Sequence, residues 1–148
     1  MRLSYSSINT YETCPAKFKF QYEDRVPQAR SAALSFGDSL HRALYLFHNR
    51  PVPVPPSIGE LHDMLEASWV SEGFGDASEE QTYRDHGRQV LSLYHRENAE
   101  NYRIPAALEF RFTIEVEGVA LSGVIDRMDR IPGGGYEIVD YKTNRRLP

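Results

Sequence analysis

Over residues 35–49, Phe36, Leu40, Ala43, Leu44 and Phe47 recur at helical spacing and fall on one face. This is the clearest amphipathic helix in the chain. The proline-rich run at residues 51–56 stops it and forms a stiff connection, because proline fixes φ and lacks the N–H that a helix interior needs. A second helix is expected over residues 58–71. Glycine-containing residues 73–77 break it, and a third follows over residues 78–102, with Tyr83, Gly87, Val90, Leu91 and Tyr94 as its inward stripe. Upstream, residues 4–24 open with serines suited to cap a helix. Pro15 interrupts that run, so two short helices meeting near Cys14–Pro15 are expected, followed by a loop with some extended character at residues 25–34.

The period changes after Pro105. Leu108, Phe110, Phe112, Ile114 and Val116 alternate with Glu109, Arg111, Thr113, Glu115 and Glu117, which is a strand pattern. A second strand is expected over residues 119–131. Pro132 and the three glycines after it make a turn, and a third strand follows over residues 136–142. The layout is α+β: helices first, then a three-strand antiparallel meander.

At 148 residues the chain fits a single domain spanning residues 1–148, large enough to bury a core. A hydrophobic share of 41% with 26% charged residues is ordinary for a soluble protein, and no apolar run approaches the roughly 18 residues of a membrane span. With no apolar leader at the N-terminus, a cytoplasmic protein without membrane attachment is expected. The lone Cys14 makes no internal disulfide and holds no zinc or iron–sulfur centre by itself. A net charge of -4 does not advertise nucleic-acid binding, but a carboxylate cluster contributes to that total and a bound divalent cation offsets it.

The chemistry concentrates in GVIDRMDRIPGGGYEIVDYKTN, residues 123–144. If residues 132–134 form a three-residue hairpin loop, Ile131 faces Gly135, and Asp126 sits opposite Asp140 on one sheet face. Lys142 then follows on that face, roughly 7 Å along the strand. Opposed carboxylates repel. A divalent cation between them would offset the repulsion, and oxygen ligands suit magnesium or manganese. Such a cation acidifies water and stabilises charge on a phosphoryl oxygen. Lys142 could orient that water, stabilise developing charge or, with a depressed pKa, act as a base. The hairpin alone leaves open a second reading, in which these are solvated charges on an exposed sheet face.

Four segments in order, SYSSINTYETCPAKFKFQY, GDSLHRAL, GVIDRMDR and IVDYKTN, resemble the RecB-like nuclease domain of the PD-(D/E)XK superfamily across most of residues 4–144. The resemblance implies a restriction-endonuclease-like α/β core, with N-terminal helices packed on a mixed sheet that contains the meander. It implies a Mg2+- or Mn2+-dependent deoxyribonuclease, an exonuclease in repair, recombination or defence. The matched positions give His41, four residues after Gly37, as a metal-holding histidine and Asp126 as an acidic ligand. Asp140 and Lys142 match the D-x-K signature, with the Tyr141 carbonyl as a further ligand. Glu109 falls where many relatives carry a glutamate, and it is either a metal neighbour or an ordinary outward strand residue. Arg145 and Arg146 are candidate phosphate contacts, or part of a tail.

Cys14-Pro15 resembles the start of the iron–sulfur branch, but the three later cysteines of that branch are absent here, so no cluster is expected and Cys14 reads as a buried packing thiol. Phe18, Phe20 and Tyr22 read as core contacts with solvated lysines between them, rather than as a base-stacking platform. Family members continue past the lysine into a helix with a glutamine and tyrosine motif, whereas this sequence ends six residues after Lys142. The C-terminal part of the domain is therefore expected to be missing, with one sheet face or edge left open. Expected partners are DNA, a helicase or other repair protein, or a second chain that completes the domain. Two other readings compete: a non-catalytic nucleic-acid-binding or scaffold module on the same fold, and an unrelated α+β interaction domain in which His41 lies far from Asp126 and Asp140.

Overall fold

The computed structural model describes residues 2–143. A two-residue strand, β1 (Arg2–Leu3), leads into α1 (Tyr5–Thr13). Ser4 and Ser7 make a reciprocal capping box that satisfies donors at the start of α1. Pro15 then opens α2 (Pro15–Phe18), where its missing N–H does no harm. The two short helices thus meet where expected, and α2 runs on into a π-helical turn at Lys19–Glu23. Tyr11, Phe18 and Tyr22 pack ring against ring, but Phe20 is exposed, so only part of that aromatic run is packed. Cys14 is a free, half-buried thiol rather than a fully buried one.

The helical layer is α3 (Ala32–His48), α4 (Ile58–Ser68) and α5 (Ala77–Asn98). Helix α3 starts earlier than its apolar stripe, because the Ser31 side chain caps it by accepting the Leu34 N–H at 3.2 Å. Ser57 with Glu60, and Asp76, cap the other two. Phe36, Leu40, Ala43, Leu44 and Phe47 of α3 form the core with Leu61, Leu65 and Leu91, as their spacing predicts. Gly87 allows the close crossing: a Cβ there would lie 3.2 Å from Leu65 and 3.3 Å from Phe36. Among the described residues no helix is long and apolar enough to cross a membrane.

The mixed sheet is built on β3 (Val119–Arg130), which pairs antiparallel with β2 (Ala107–Val116) and β4 (Tyr136–Val139) and parallel with β1. Two residues carry no periodicity, so β1 is not legible as a strand. The β3–β4 pairs run from Arg130↔Tyr136 to Arg127↔Val139, the register a three-residue loop imposes. Strand β4 stops at Val139, however, instead of continuing through Lys142. The apolar side of β2 is also more open than its alternation suggests: Phe110, Ile114 and Val116 are exposed, as are Tyr136 and Ile138 of β4.

Candidate active site

The early end of β4 has a local cause. Continuing the ladder would turn the Tyr141 N–H towards the β3 main chain. It donates instead to Asp126 Oδ2 at 2.7 Å, a side-chain capture of a main-chain donor that competes with strand pairing. On the same side, His41 projects from α3. Its Nε2 lies 3.1 Å from the Tyr141 carbonyl oxygen, and its Nδ1 lies 3.4 Å from Asp126 Oδ1. The imidazole edge meets the Tyr141 ring at 5.9 Å. Gly37 explains the four-residue spacing to His41. A Cβ at Gly37 would come within 3.3 Å of the Thr143 hydroxyl, so the missing side chain lets this segment pass close to α3.

Glu109 completes the acidic lining. The β2–β3 register passes from Leu108↔Arg127 to Phe110↔Ile125, and Glu109 steps out of the ladder at φ 46°. A left-handed conformation at a non-glycine residue costs on the order of 1–3 kcal/mol, and such strain clusters at functional sites. Glu109, Asp126, His41, Tyr45, Leu108 and Tyr141 line a cleft of about 10 Å3, room for a single water or cation.

Asp140 and Lys142 do not line that cleft but lie close enough for Lys142 to feel the Asp126 charge. The Lys142 ammonium pairs with Asp140 Oδ2 at 2.5 Å, with side chains 61% and 54% exposed, whereas that of Asp126 is only 17% exposed. The hydrogen bond that Lys142 donates to Asp140 holds its pKa above the usual value, with the Asp126 charge adding to the effect. With Asp140 as its partner, Lys142 is held as a cation, the form that stabilises developing negative charge. Among the described residues, no three His, Cys, Asp or Glu side chains form a ready-made cation cage. The donors that meet are the His41 imidazole, the Asp126 carboxylate and the Tyr141 main-chain carbonyl, with Glu109 lining the same cleft, and oxygen-rich donors of this kind suit a hard divalent cation. Arg145 and Arg146 lie outside the described residues.

A buried polar cluster behind the cleft escaped the sequence reading. Arg127, next to Asp126 but on the opposite face of β3, pairs with Asp129 at 3.0 Å; their side chains are 11% and 9% exposed. Its guanidinium also donates to the Tyr94 hydroxyl at 2.7 Å, to His48 Nε2 at 2.8 Å and to the Tyr141 hydroxyl at 3.3 Å. One signal for it was present: alternation puts Arg127 and Asp129 of GVIDRMDR together, facing away from Asp126.

Burial, reinforced by the Arg127 charge, pushes the His48 pKa down from 6.5 to about 3. His48 is neutral in the folded protein, and the unfolded chain binds its proton more readily. Its contribution to stability is therefore complete above pH 6.5 and is lost as the pH falls from there towards 3. The expected slope is up to about 1.4 kcal/mol per pH unit in that window. Denaturant unfolding of the wild type and of His48→Gln between pH 7 and 4 checks this; an equal slope in both proteins contradicts it.

Fold and site together define an α+β protein with an acidic cleft at the open end of a β-hairpin. The chain matches the PD-(D/E)XK nuclease superfamily over residues 2–148, and it belongs to that superfamily. No curated protein matches it significantly. Membership gives a nuclease-type function and a restriction-endonuclease-like α+β fold, and it overturns the reading of an unrelated interaction domain.

Proposed function

We propose that this chain is a RecB-like, Mg2+- or Mn2+-dependent deoxyribonuclease. It cleaves phosphodiester bonds as a cytoplasmic exonuclease in repair, recombination or defence, and works with a helicase, another repair protein or a chain that completes its domain. The observation that carries the proposal is the meeting of His41, Asp126, Glu109 and the Tyr141 carbonyl at one cleft, with Lys142 held cationic beside it.

The fit of a cation is chemical. Glu109 and Asp126 bring two negative charges to one cleft, and the Tyr141 carbonyl adds a third oxygen donor. A divalent cation bound there would stabilise negative charge on the phosphoryl oxygens and make a nearby water more acidic. His41, Asp126 and the Tyr141 carbonyl are the groups to hold it, with Glu109 in reach and Asp140 able to join by releasing Lys142. Lys142 then donates to a non-bridging phosphate oxygen as charge builds in the transition state. Asp126 fixes the Tyr141 main chain, and so the direction of its carbonyl.

The second reading, a catalytically incomplete module that binds nucleic acid or acts as a scaffold, draws on the Asp140–Lys142 pair, which turns both groups of the D-x-K signature towards each other. End-labelled DNA incubated with Mg2+ or Mn2+ separates the two. Cleavage that stops with a chelator and falls at least roughly a hundredfold in Lys142→Ala is expected, on the scale of removing one transition-state donor. DNA retention without turnover supports the binding module.

A further inference from the structure

Tyr141 is the residue that joins the cleft to the buried cluster. Its main chain lies in the cleft: the N–H donates to Asp126 and the carbonyl faces His41 Nε2. Its ring passes the His41 imidazole at 5.9 Å and carries the hydroxyl to the Arg127 cluster. There the hydroxyl accepts from Arg127 and lies 3.3 Å from the Tyr94 hydroxyl, and the rings of Tyr94 and Tyr141 meet edge-on at 5.9 Å. Strand pairing does not hold this segment, because β4 has ended at Val139. The Tyr141 carbonyl is therefore aimed by two anchors, Asp126 on one side and the Arg127 cluster on the other.

The cluster is not an efficient source of stability. His48 Nδ1, Arg127 Nε and Asp129 Oδ1 are buried without a partner among the described residues, and a buried ion pair often does no better than an apolar replacement of the same volume. Its geometry is nevertheless rigid. The planar guanidinium engages three side chains and a carboxylate in fixed directions, and His48 stacks parallel on Tyr102 at 5.3 Å.

We infer that Arg127 is a positioning residue that, through the Tyr141 hydroxyl, sets the angle at which the Tyr141 carbonyl meets His41 and Asp126. The inference rests on the cation-dependent reading of the cleft for its consequence, but not for its geometry. Groups that orient a metal's ligands from behind typically change affinity 10–100-fold when removed.

Tyr141→Phe deletes only the hydroxyl. Tyr94→Phe is its control, since it removes a hydroxyl from the same guanidinium but places no main-chain atom in the cleft. Two readouts decide. In Mn2+ titration calorimetry, Tyr141→Phe is expected to weaken binding roughly tenfold and Tyr94→Phe to leave it unchanged. Arg127→Lys weakens it as Tyr141→Phe does, and combining the two adds nothing further, because both break the same link. In hydrogen exchange without metal, the Tyr141 amide loses protection in Tyr141→Phe and Arg127→Lys but not in Tyr94→Phe. Unchanged exchange at position 141 in Tyr141→Phe, or equal losses of affinity and protection in both tyrosine variants, overturns the positioning role. If the wild type binds no Mn2+, the nuclease reading fails, while the exchange comparison still decides the role of Arg127.

Discussion

Asp126→Asn is expected to lower metal-dependent DNA cleavage by roughly a thousandfold or more while the protein stays folded, the scale of losing a group whose charge acts in the transition state. The choice of asparagine matters. Asp126 has two tasks, carrying negative charge into the cleft and accepting the Tyr141 N–H. Asparagine keeps an acceptor oxygen for the second and removes the first. Alanine removes both and frees the Tyr141 segment, so its effect would mix chemistry with local disorder. Steady-state cleavage of end-labelled DNA, with circular dichroism to confirm the fold, makes the measurement. Turnover within a few-fold of wild type would remove Asp126 from the catalytic machinery.

Arg127→Met is expected to be the most damaging single change to stability, by about 3–5 kcal/mol, because it leaves the buried Asp129 carboxylate without its cation. That is a large part of the 5–15 kcal/mol that stabilises a typical domain. The loss comes mostly from the stranded charge and not from a missing attraction. Arg127→Met combined with Asp129→Leu should therefore recover much of it, although the double variant also lacks the link to Tyr141. Urea unfolding of both variants tests this. A double variant no more stable than Arg127→Met would show that the hydrogen bonds to Tyr94, His48 and Tyr141, and not the ion pair, hold the cluster together.

The fold was legible in the sequence where periodicity is long. The α3 stripe from Phe36 to Phe47 is buried as its spacing requires, and the Pro132–Gly134 loop set the β3–β4 register that is observed. His41 was legible only through the family pattern, since one histidine at the edge of an apolar stripe has many uses. Three features were not legible, and each is a competition between local groups. Asp126 takes the Tyr141 N–H and ends β4 early. Glu109, which the family pattern offered as a metal neighbour beside the reading of an ordinary strand residue, leaves its ladder at a positive φ that the alternation does not signal. Asp140 engages Lys142 instead of lining the cleft with Asp126. The β2 alternation identified a strand but not what covers it, because alternation records which face is apolar and says nothing of the element that packs there.

The central claim is that the carboxylates around His41 hold a divalent cation for phosphodiester hydrolysis. Mn2+ titration calorimetry on the wild type and on Asp126→Asn/Asp140→Asn tests it most directly, since asparagine keeps an acceptor for the Tyr141 N–H. The expected result is binding by the wild type that disappears in the double variant. Equal binding by both, or no binding by the wild type, would contradict the claim and favour the binding-module reading.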